Sequence, residues 1–514
     1  MGRSRITLAR YASQAAFLGL FLWLFLSTES TGQDTLGPPV RLFLDFDPLI
    51  FLSTVLAAHA APAAFFLSLI TLGLTAVLGR AFCGWVCPLG TLHNVASRFK
   101  RRTARPLGVH WLKYLVLFFV LGAAVFGAEL AGWLDPISLL IRSLAVGVYP
   151  AFAYGTEAFF GAMYAADLGV LTDASEAVYA VARDTVLPFR APHYYQGWLM
   201  TGLFVLVLVL NLYERRSWCR YICPLGALLG LVGRYAPLKR SVAEGCTECG
   251  ACARGCHGAA TPHVKGSFRP GECYLCNSCD DVCPEGAVRY TFGARHAFAP
   301  MDLGRRRVLA SIAAGAATVP VLRAGASSVA PNPLLIRPPG SLAEAEFLGR
   351  CVRCGQCMKV CITGGLQPAF MQAGLEGLWT PVLVPRVGYC EYRCTLCGQV
   401  CPTGAIERLT LERKLKTSIG LAMVDLSRCL PHAHARPCIV CEEVCPTSPK
   451  AVVLEEKVMT APDGAQVRLR QPRVDLEKCI GCGICEAECP VTGTPAITVT
   501  TLGETRHPEN RLLI

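Results

Sequence analysis

The cysteines are the residues of this sequence whose type and spacing most directly indicate chemistry. The chain of 514 residues contains 28 cysteines, of which 24 fall into six runs of four and the other four form two pairs. Scattered structural cysteines would not be grouped in this way, and secreted disulfide scaffolds are short, loop-rich chains. Closely spaced thiolates in repeated runs are instead typical of iron–sulfur proteins.

Two runs in the middle of the chain have the C-x2-C-x2-C-x3-C spacing of bacterial ferredoxins. They consist of Cys246, Cys249, Cys252 and Cys256, and of Cys273, Cys276, Cys279 and Cys283 followed by Pro284. In this spacing the first three thiolates reach one 4Fe–4S cluster, and the fourth binds the cluster of the partner run. We therefore expect Cys283 to complete the first cluster and Cys256 to complete the second.

Four further runs in the C-terminal part vary this pattern. They are Cys351, Cys354, Cys357 and Cys361; Cys390, Cys394, Cys397 and Cys401; Cys429, Cys438, Cys441 and Cys445; and Cys479, Cys482, Cys485 and Cys489. Ile362 replaces the usual proline after the first of these runs, and the third has eight residues in its first gap. By analogy with four-cluster electron-transfer subunits, we expect the first run to pair with the fourth, so that Cys489 completes the first cluster, and the second run to pair with the third.

Other chemistries account less well for these runs. A zinc ribbon uses two C-x2-C pairs, whereas these runs continue to a fourth cysteine. The chain contains no C-x-x-C-H motif for covalent haem, no glycine fingerprint for a dinucleotide and no P-loop. The six runs therefore predict six 4Fe–4S clusters, with about 24 iron atoms per chain.

The remaining cysteines form two C-x3-C-P-L-G motifs, Cys83 with Cys87 and Cys219 with Cys223. Each motif follows an apolar segment, and its proline is typical of the first turn of a helix, where a thiolate would lie beside a positive N-terminus. Three interpretations remain open. The four thiolates could share a seventh iron–sulfur cluster, each pair could be a redox-active dithiol, or they could bind a soft metal such as Cu(I).

The elements that position these cysteines are predicted to lie in a membrane, because 53% of the residues are hydrophobic and only 17% are charged. Apolar segments at 10–27, 61–80, 109–130 and 194–213 are each near the length of a span. The expected fold is a multi-span α-helical membrane domain of two parallel repeats with four main spans, plus two ferredoxin-like α+β iron–sulfur domains.

The expected domain boundaries follow from the changes in composition. Residues 1–240 form the membrane domain, 241–300 a two-cluster domain, 301–340 a twin-arginine-like segment with a linker, and 341–514 a four-cluster domain. Arg305, Arg306 and Arg307 precede a mildly apolar stretch, which is similar to a twin-arginine signal. This stretch could be cleaved at Ala324-Gly325-Ala326, could remain as a short fifth span, or could be a surface helix after a basic linker.

The orientation of the membrane domain is predicted from its positive residues. They lie before the first span, between the second and third spans, and after the fourth span. These residues are Arg3, Arg5, Arg10, Arg98, Lys100, Arg101, Arg102, Arg105, Arg215, Arg216, Arg220, Lys239 and Arg240. The opposite loops carry mostly acids, so we expect the 241–300 domain in the cytoplasm and the 341–514 domain in the periplasm. The net charge of +12 is attributed to this topology, not to a nucleic-acid partner.

Asp47 and Asp135 stand at matching points of the two repeats, each followed by proline. A carboxylate near a quinol could accept its proton as the electrons leave, so both are candidate catalytic residues. The alternative is that Asp caps a short re-entrant helix with Pro in its first turn. We expect at least one of them to be such a cap.

These motifs resemble known families. Residues 1–300 resemble the NapH-type membrane ferredoxin of periplasmic nitrate reductase systems, with four spans, two C-x3-C-P-L-G motifs and a two-cluster domain. Residues 305–514 resemble the NapG/MauM-type ferredoxin, which has a twin-arginine leader and four clusters. The chain is therefore similar to a fusion of two usually separate proteins. The C-x3-C-P pair is shared with NosR-type regulators and with membrane ferredoxins of cytochrome oxidase assembly.

The resemblance implies a quinol dehydrogenase module in the bacterial inner membrane, with quinol as substrate and a periplasmic reductase or cytochrome as partner. An alternative is an assembly or regulatory protein whose clusters reduce a metal or a thiol during maturation of another enzyme. A third hypothesis reverses the electron flow and fills the quinone pool from a reduced cytoplasmic donor. The sequence does not set the direction, because cluster potentials depend on hydrogen bonding and burial.

Overall fold

The computed structural model describes residues 5–30, 34–59, 66–99, 108–167, 169–260, 268–293, 303–323, 332–460 and 464–510. They form a helical part up to residue 233, a small cysteine-rich domain over 238–293, a single helix, and a larger cysteine-rich domain from residue 332. The predicted basic residues Arg3, Lys100, Arg101, Arg102 and Arg105, and the possible cleavage site at 324–326, lie outside the described residues.

Fourteen helices build the described portion of the helical part. They are α1 (Arg5–Ser27), α2 (Leu42–Asp45), α3 (Pro48–Ala58), α4 (Ser68–Leu78), α5 (Ala81–Trp85), α6 (Pro88–Ala96), α7 (Leu112–Val125), α8 (Ala131–Leu134), α9 (Pro136–Ser143), α10 (Tyr149–Ala166), α11 (Val170–Thr185), α12 (Gly197–Val209), α13 (Ser217–Tyr221) and α14 (Pro224–Gly233). A π-helical turn at Leu144–Val148 joins α9 to α10, so Pro136–Ala166 is one helix of 31 residues.

Two helices of the described ranges are long and apolar enough to cross a membrane, namely α1 and the continuous helix Pro136–Ala166. The third and fourth predicted spans are shorter apolar helices, Leu112–Val125 and Gly197–Leu212. Within the second predicted span, α4 occupies Ser68–Leu78, while residues 60–65 are outside the described ranges. By length and composition, two helices of the described residues could therefore cross a membrane, and the arrangement with four spans stays a prediction.

The internal repeat is visible at the N-termini of four short helices, α3, α6, α9 and α14. Asp47 caps α3 and Asp135 caps α9, and each carboxylate accepts two backbone N–H groups at 2.7–3.2 Å. Cys87 caps α6 and Cys223 caps α14, and each thiol accepts one N–H group. All four helices have proline at their first position, where its fixed φ favours a helix and its missing N–H costs nothing. The predicted capping role is therefore confirmed for both aspartates.

The small domain is built on two antiparallel strands, β1 (Leu238–Val242) and β2 (Val288–Phe292). The short helices α15 (Ala251–Arg254) and α16 (Ser278–Asp281) each lie within one cysteine run. The strands therefore hold the first and last residues of the domain together while the two runs face each other between them.

A single helix, α17 (Arg305–Arg323), connects the small domain to the larger one along the chain. The larger domain has three two-stranded antiparallel sheets and seven short helices in the described ranges. Its strands are β3 (Leu366–Pro368) with β4 (Pro381–Leu383), β5 (Leu421–Val424) with β8 (Ile497–Thr500), and β6 (Val452–Thr460) with β7 (Gln466–Val474). Its helices are α18 (Glu344–Arg350), α19 (Gln356–Lys359), α20 (Leu396–Val400), α21 (Leu411–Leu415), α22 (Leu430–Ala433), α23 (Val440–Glu443) and α24 (Ile484–Ala487).

Helix α17 packs along α7 in the same direction. Ser311 donates to the carbonyl of Leu115 at 2.5 Å, and a Cβ at Gly315 would overlap the carbonyl oxygen of Phe119. A Cβ at Gly122 of α7 would likewise overlap the carbonyl oxygen of Ile312. Small residues at a helix interface permit this close approach. The structure thus packs this segment against the helical part, and the leader, the short span and the surface helix all stay predictions.

Replacing Gly315 by leucine should destabilise the chain, because the added side chain would force the two helices apart. Overpacking of this kind typically costs about 1–3 kcal/mol. The measurement is the thermal unfolding of the full chain in detergent. Gly19→Leu is the matched control, since Gly19 lies in α1 with open space beside its Cα. Equal melting temperatures for the two variants would contradict the close packing of α7 and α17.

Candidate iron–sulfur sites

Four cavities in the described part of the chain are each lined by four cysteines. We call them sites A, C, D and F. Site A is lined by Cys246, Cys249, Cys252 and Cys283; site C by Cys351, Cys354, Cys357 and Cys401; site D by Cys361, Cys390, Cys394 and Cys397; and site F by Cys429, Cys438, Cys441 and Cys489. In each, three thiols come from one run and the fourth comes from another.

Two more quartets are indicated by interactions between thiol charges. Site B is formed by Cys256, Cys273, Cys276 and Cys279, and site E by Cys445, Cys479, Cys482 and Cys485. Burial and then the charge of Cys276 raise the pKa of Cys256. Burial also raises the pKa of Cys279 to about 11. Sites A and B together therefore have the exchanged fourth cysteines that the spacing predicts.

The expected crosswise pairing of the C-terminal runs is wrong. Cys401, not Cys489, joins the first of these runs, and Cys489 joins the third. The first run therefore pairs with the second, and the third with the fourth. The physical reason is that β5, just before the third run, pairs with β8, just after the fourth, and so closes these two runs into one unit.

Iron–sulfur clusters fit these sites by the chemistry of their surroundings. Backbone N–H groups donate to sulfur at 3.3–3.4 Å, for example from Ala287 to Cys283 and from Ile406 to Cys401. Burial raises the pKa of Cys354 to about 12, so a thiolate there needs a positively charged partner such as iron. Among the described residues, no three Cys, His, Asp or Glu side chains converge on a single-ion site. The thiols instead surround cavities, as ligands of a multi-iron cluster would.

Sites C, D, E and F follow one another through the larger domain. Sites C and D share their two runs, as do sites E and F. Between the two pairs, the N–H of Cys390 in site D donates to the carbonyl of Cys482 in site E at 2.8 Å. The order C, D, E, F thus forms one continuous path.

The remaining four cysteines come together between α5, α6, α13 and α14. We call Cys83, Cys87, Cys219 and Cys223 the membrane quartet after their predicted location. The four thiols lie close enough for their charges to act on one another. Gly90 donates to the sulfur of Cys87 at 3.4 Å, and Gly226 donates to that of Cys223 at 3.2 Å. The two motifs, which are 136 residues apart in the sequence numbering, are therefore brought to one place by the repeat.

The small domain docks beside this quartet. Tyr274, which follows Cys273 of site B, is buried, and a Cβ at Gly84 would overlap its carbonyl oxygen. Trp85 donates its indole N–H to the carbonyl of Leu275 at 3.1 Å. The loop of site B therefore contacts the helix that contains Cys83.

Glu272 anchors the small domain to the helical part. Its carboxylate pairs with Arg80 at 3.2 Å and with Lys113, and it accepts from the hydroxyl of Tyr114 at 2.8 Å. Burial alone would raise the pKa of Glu272, but Lys113 and Arg80 outweigh it and hold the pKa below its ordinary value. This carboxylate is thus ionised inside the interface.

The larger domain docks at the other end of α7. A Cβ at Gly132 would overlap the carbonyl oxygen of Val352, which follows Cys351 of site C. Arg353 donates to the carbonyl of Glu129, and Arg142 donates to the carbonyl of Arg353 at 3.1 Å. Since Lys113 and Tyr114 at the start of α7 contact the small domain, the two cysteine-rich domains lie at opposite ends of this helix.

The carboxyl groups of Asp47 and Asp135 are fully buried and lie within hydrogen-bonding range of each other. One oxygen of each accepts the capping N–H groups, while Asp47 Oδ2 and Asp135 Oδ1 find no other donor in the structure as described. Two buried carboxylates this close to each other would repel if both were ionised. The repeat therefore pairs the two predicted catalytic residues.

Several residues of these sites were not predicted from the sequence. Arg216, assigned to membrane orientation, is only 1% exposed and donates to the carbonyl of Cys83 at 3.0 Å. Arg80 occupies the equivalent place, three residues before Cys83, and is fully buried. An alignment of the two repeats would have found this pair, because each arginine precedes its C-x3-C-P motif by the same distance. No comparable signal identified Tyr274 or Arg142.

Comparisons with known proteins agree with this cysteine chemistry. A 4Fe–4S binding domain family matches residues 60–106 and 196–242, one match for each C-x3-C-P repeat, and another 4Fe–4S binding domain family matches residues 470–491. The ferredoxin-type protein NapG of Escherichia coli is 37% identical over 214 residues, which cover 40% of this chain and 90% of NapG. No solved structure matches the chain.

Two further relatives extend this comparison. The methylamine utilization ferredoxin-type protein MauM of Methylorubrum extorquens is 37% identical over 185 residues, covering 34% of this chain and 79% of MauM. A protein of Escherichia coli named as an electron transport protein, YccM, is 28% identical over 233 residues, covering 44% of this chain and 55% of YccM. Each relative thus corresponds to less than half of the present chain.

Replacing Glu272 by glutamine should loosen the small domain, because Arg80 and Lys113 would then be buried without their anion. Breaking a buried pair by removing one partner typically costs about 3–5 kcal/mol. The measurement is thermal unfolding of the full chain, together with limited proteolysis of the small domain. Glu455→Gln is the control, since Glu455 pairs with an exposed arginine on β7 and should not change either measurement. Identical behaviour of both variants would refute the anchoring role of Glu272.

Proposed function

Because the chain belongs to the ferredoxin-type family that includes NapG and MauM, we propose that it is a membrane-bound quinol-oxidising relay. It would pass electrons to a periplasmic reductase or electron carrier. The observation that carries this proposal is the docking of two cysteine-rich domains at opposite ends of one helix, α7. When bound, each 4Fe–4S cluster takes up and releases one electron.

The proposed ligands are the 24 cysteines of sites A to F, four for each of six clusters. Sites A and B belong to the small domain, and sites C to F to the larger one. The contacts of Arg353 and Val352 put site C next to the helical part, and site F lies at the far end of the path. We infer that electrons enter the larger domain at site C and leave it at site F toward the partner.

The proposed membrane placement rests on α1, on the helix Pro136–Ala166 and on the packing of α17 along α7. Arginines at the quartet end contact the small domain, for example Arg215 with the carbonyl of Gly255 and Arg220 with that of His257. The positive-inside rule assigns this end to the cytoplasm and the opposite end, with the larger domain, to the periplasm.

Quinol oxidation releases two electrons and two protons, so a quinol site needs a proton acceptor beside its electron acceptor. We propose that the Asp47–Asp135 pair accepts these protons, one on each carboxyl group, as the two electrons pass one at a time to site C, since one oxygen of each carboxyl group has no donor among the described residues. Arg142 lies between this pair and site C, because the charges of both Asp135 and Cys354 act on it. Proton acceptance and electron entry would therefore occur in neighbouring parts of the structure.

We propose only a class of protein as the partner that accepts electrons from this chain. The printed name of MauM refers to methylamine utilization, whereas that of NapG states only that it is a ferredoxin-type protein. Two relatives that are equally identical to this chain thus have names that do not state the same role. A periplasmic reductase or a cytochrome is compatible with an electron exit at site F.

Asp135→Asn should slow electron entry from quinol by roughly 10²–10⁴-fold, the usual contribution of a positioned general base. The measurement is the bleaching of cluster absorbance after anaerobic mixing of the purified chain with a quinol analogue. Asp173→Asn is the control, because Asp173 is exposed on α11. A chain that dithionite bleaches but quinol does not would disprove the quinol relay. If quinol bleaches the Asp135→Asn variant as fast as the wild type, only the proton-acceptor role of Asp135 is disproved.

A reporter enzyme that is active only in the periplasm should be active when it is fused after Ile514, because the larger domain is proposed to lie on that side. The same reporter inserted after Gly293, behind β2, should be inactive. Activity in the second fusion and none in the first would reverse the proposed orientation. Activity in both would place the two domains on the same side of the membrane.

A further inference from the structure

The membrane quartet is surrounded by buried positive charge. Arg80, Lys113 and Arg216 are at most 1% exposed, and the charges of all three act on Cys219. Glu272, which pairs with Arg80 and Lys113, is the buried carboxylate at this place. Three cations and one anion leave an excess of two positive charges next to four thiols.

The other hydrogen-bond partners of the two arginine side chains are the uncharged carbonyls of Gly271 and Cys83 and the sulfur of Cys83, so no second carboxylate within the described ranges balances their charge. Arg80 Nε, and Nε and Nη2 of Arg216, are buried and have no acceptor among the described residues. The guanidinium groups of Arg80 and Arg216 lie 4.6 Å and 4.9 Å from the centre of the Tyr274 ring, so this ring lies against both. Because uncompensated buried charge is costly, the site is built for an anionic group.

The candidate occupants of the quartet differ in charge and in the arrangement of ligands that they need. A pair of dithiols is neutral and needs no excess of buried cations. A single zinc ion needs three or four ligands that converge on one point, and no such group of three exists in the described ranges. A Cu(I) ion held by two thiolates has one negative charge, which would leave part of the buried positive charge unbalanced. An oxidised 4Fe–4S cluster with four thiolate ligands has about two negative charges, and its thiolates surround a volume rather than a point.

We propose that Cys83, Cys87, Cys219 and Cys223 bind a seventh cluster of the 4Fe–4S type, and that Arg80 and Arg216 balance its charge and set its potential. The N–H groups of Gly90 and Gly226, which donate to Cys87 and Cys223, supply the hydrogen bonds to sulfur. The repeat contributes one cysteine pair, one arginine and one such glycine from each half. The 4Fe–4S family match at both repeats supports the same cluster type.

Tyr274 connects this site to the small domain. It follows Cys273 of site B in the chain, while its ring contacts both arginines of the quartet. Gly84, next to Cys83, permits the backbone of Tyr274 to approach because it has no side chain. The quartet would thus exchange electrons with site B. This electron exchange rests on the proposed relay, but the presence of a cluster at the quartet does not depend on it.

The first test is the iron content of the full chain, purified anaerobically, with and without Cys83→Ser and Cys219→Ser together. The wild type should contain about 28 iron atoms rather than about 24, and the variant should lose about four of them with one paramagnetic centre. A variant with unchanged iron would overturn the proposal. A loss of about two iron atoms would contradict a 4Fe–4S cluster at this site and would indicate a smaller one. Quinol bleaching of the other clusters is measured separately, so failure here leaves the relay itself intact.

The second test applies even if the cysteine variant does not accumulate. Arg80→Met and Arg216→Met should each lower the midpoint potential of one paramagnetic centre without loss of iron, because a removed positive charge disfavours the added electron. Arg80→Lys should largely restore the potential, since lysine keeps the charge. Arg183→Met, on the exposed surface of α11, is the control and should leave every centre unchanged. Unchanged potentials in both Arg→Met variants would overturn the charge-balancing role.

Discussion

A thiolate that is removed from water must be surrounded by cations or hydrogen-bond donors, and the arrangement of this molecule depends on that constraint. In the larger domain, backbone N–H groups donate to sulfur, and Lys414 lowers the cost of an ionised Cys390 in site D. In the helical part the short helices α6 and α14 provide the N–H groups, and the repeat-related pair Arg80 and Arg216 provides the charge.

The same docking geometry occurs at both ends of α7. At one end Gly84 faces the carbonyl of Tyr274, and at the other end Gly132 faces the carbonyl of Val352. Tyr274 and Val352 each directly follow the first cysteine of a run. In both places a glycine lets the loop of a cluster site approach the helical part at backbone distance. An arginine then fixes the contact, Arg80 through Glu272 at the first end and Arg142 through the carbonyl of Arg353 at the second.

Close packing of α17 on α7, which a glycine of each helix permits, explains how one chain can combine parts that resemble two separate proteins. Helix α17 packs against α7 through Gly122 and Gly315, and Arg323 at its end donates to the carbonyl of Gly127 and pairs with Glu376 of the larger domain. The described part of the connection between the two cysteine-rich domains, residues 303–323, is therefore part of the packed structure. This arrangement holds site C next to the helical part.

The sequence alone determined what depends on local order: the six cysteine runs, the exchange between Cys256 and Cys283, the internal repeat, and the Asp-Pro caps of α3 and α9. These features follow from residue types within a few positions, where backbone geometry leaves few alternatives. Only the tertiary structure decided which C-terminal runs pair, because the pairing of β5 with β8 depends on how distant segments pack. It also decided that Arg216 faces the membrane quartet instead of solvent, since burial of a charge depends on partners such as Tyr274 that lie far away in the chain.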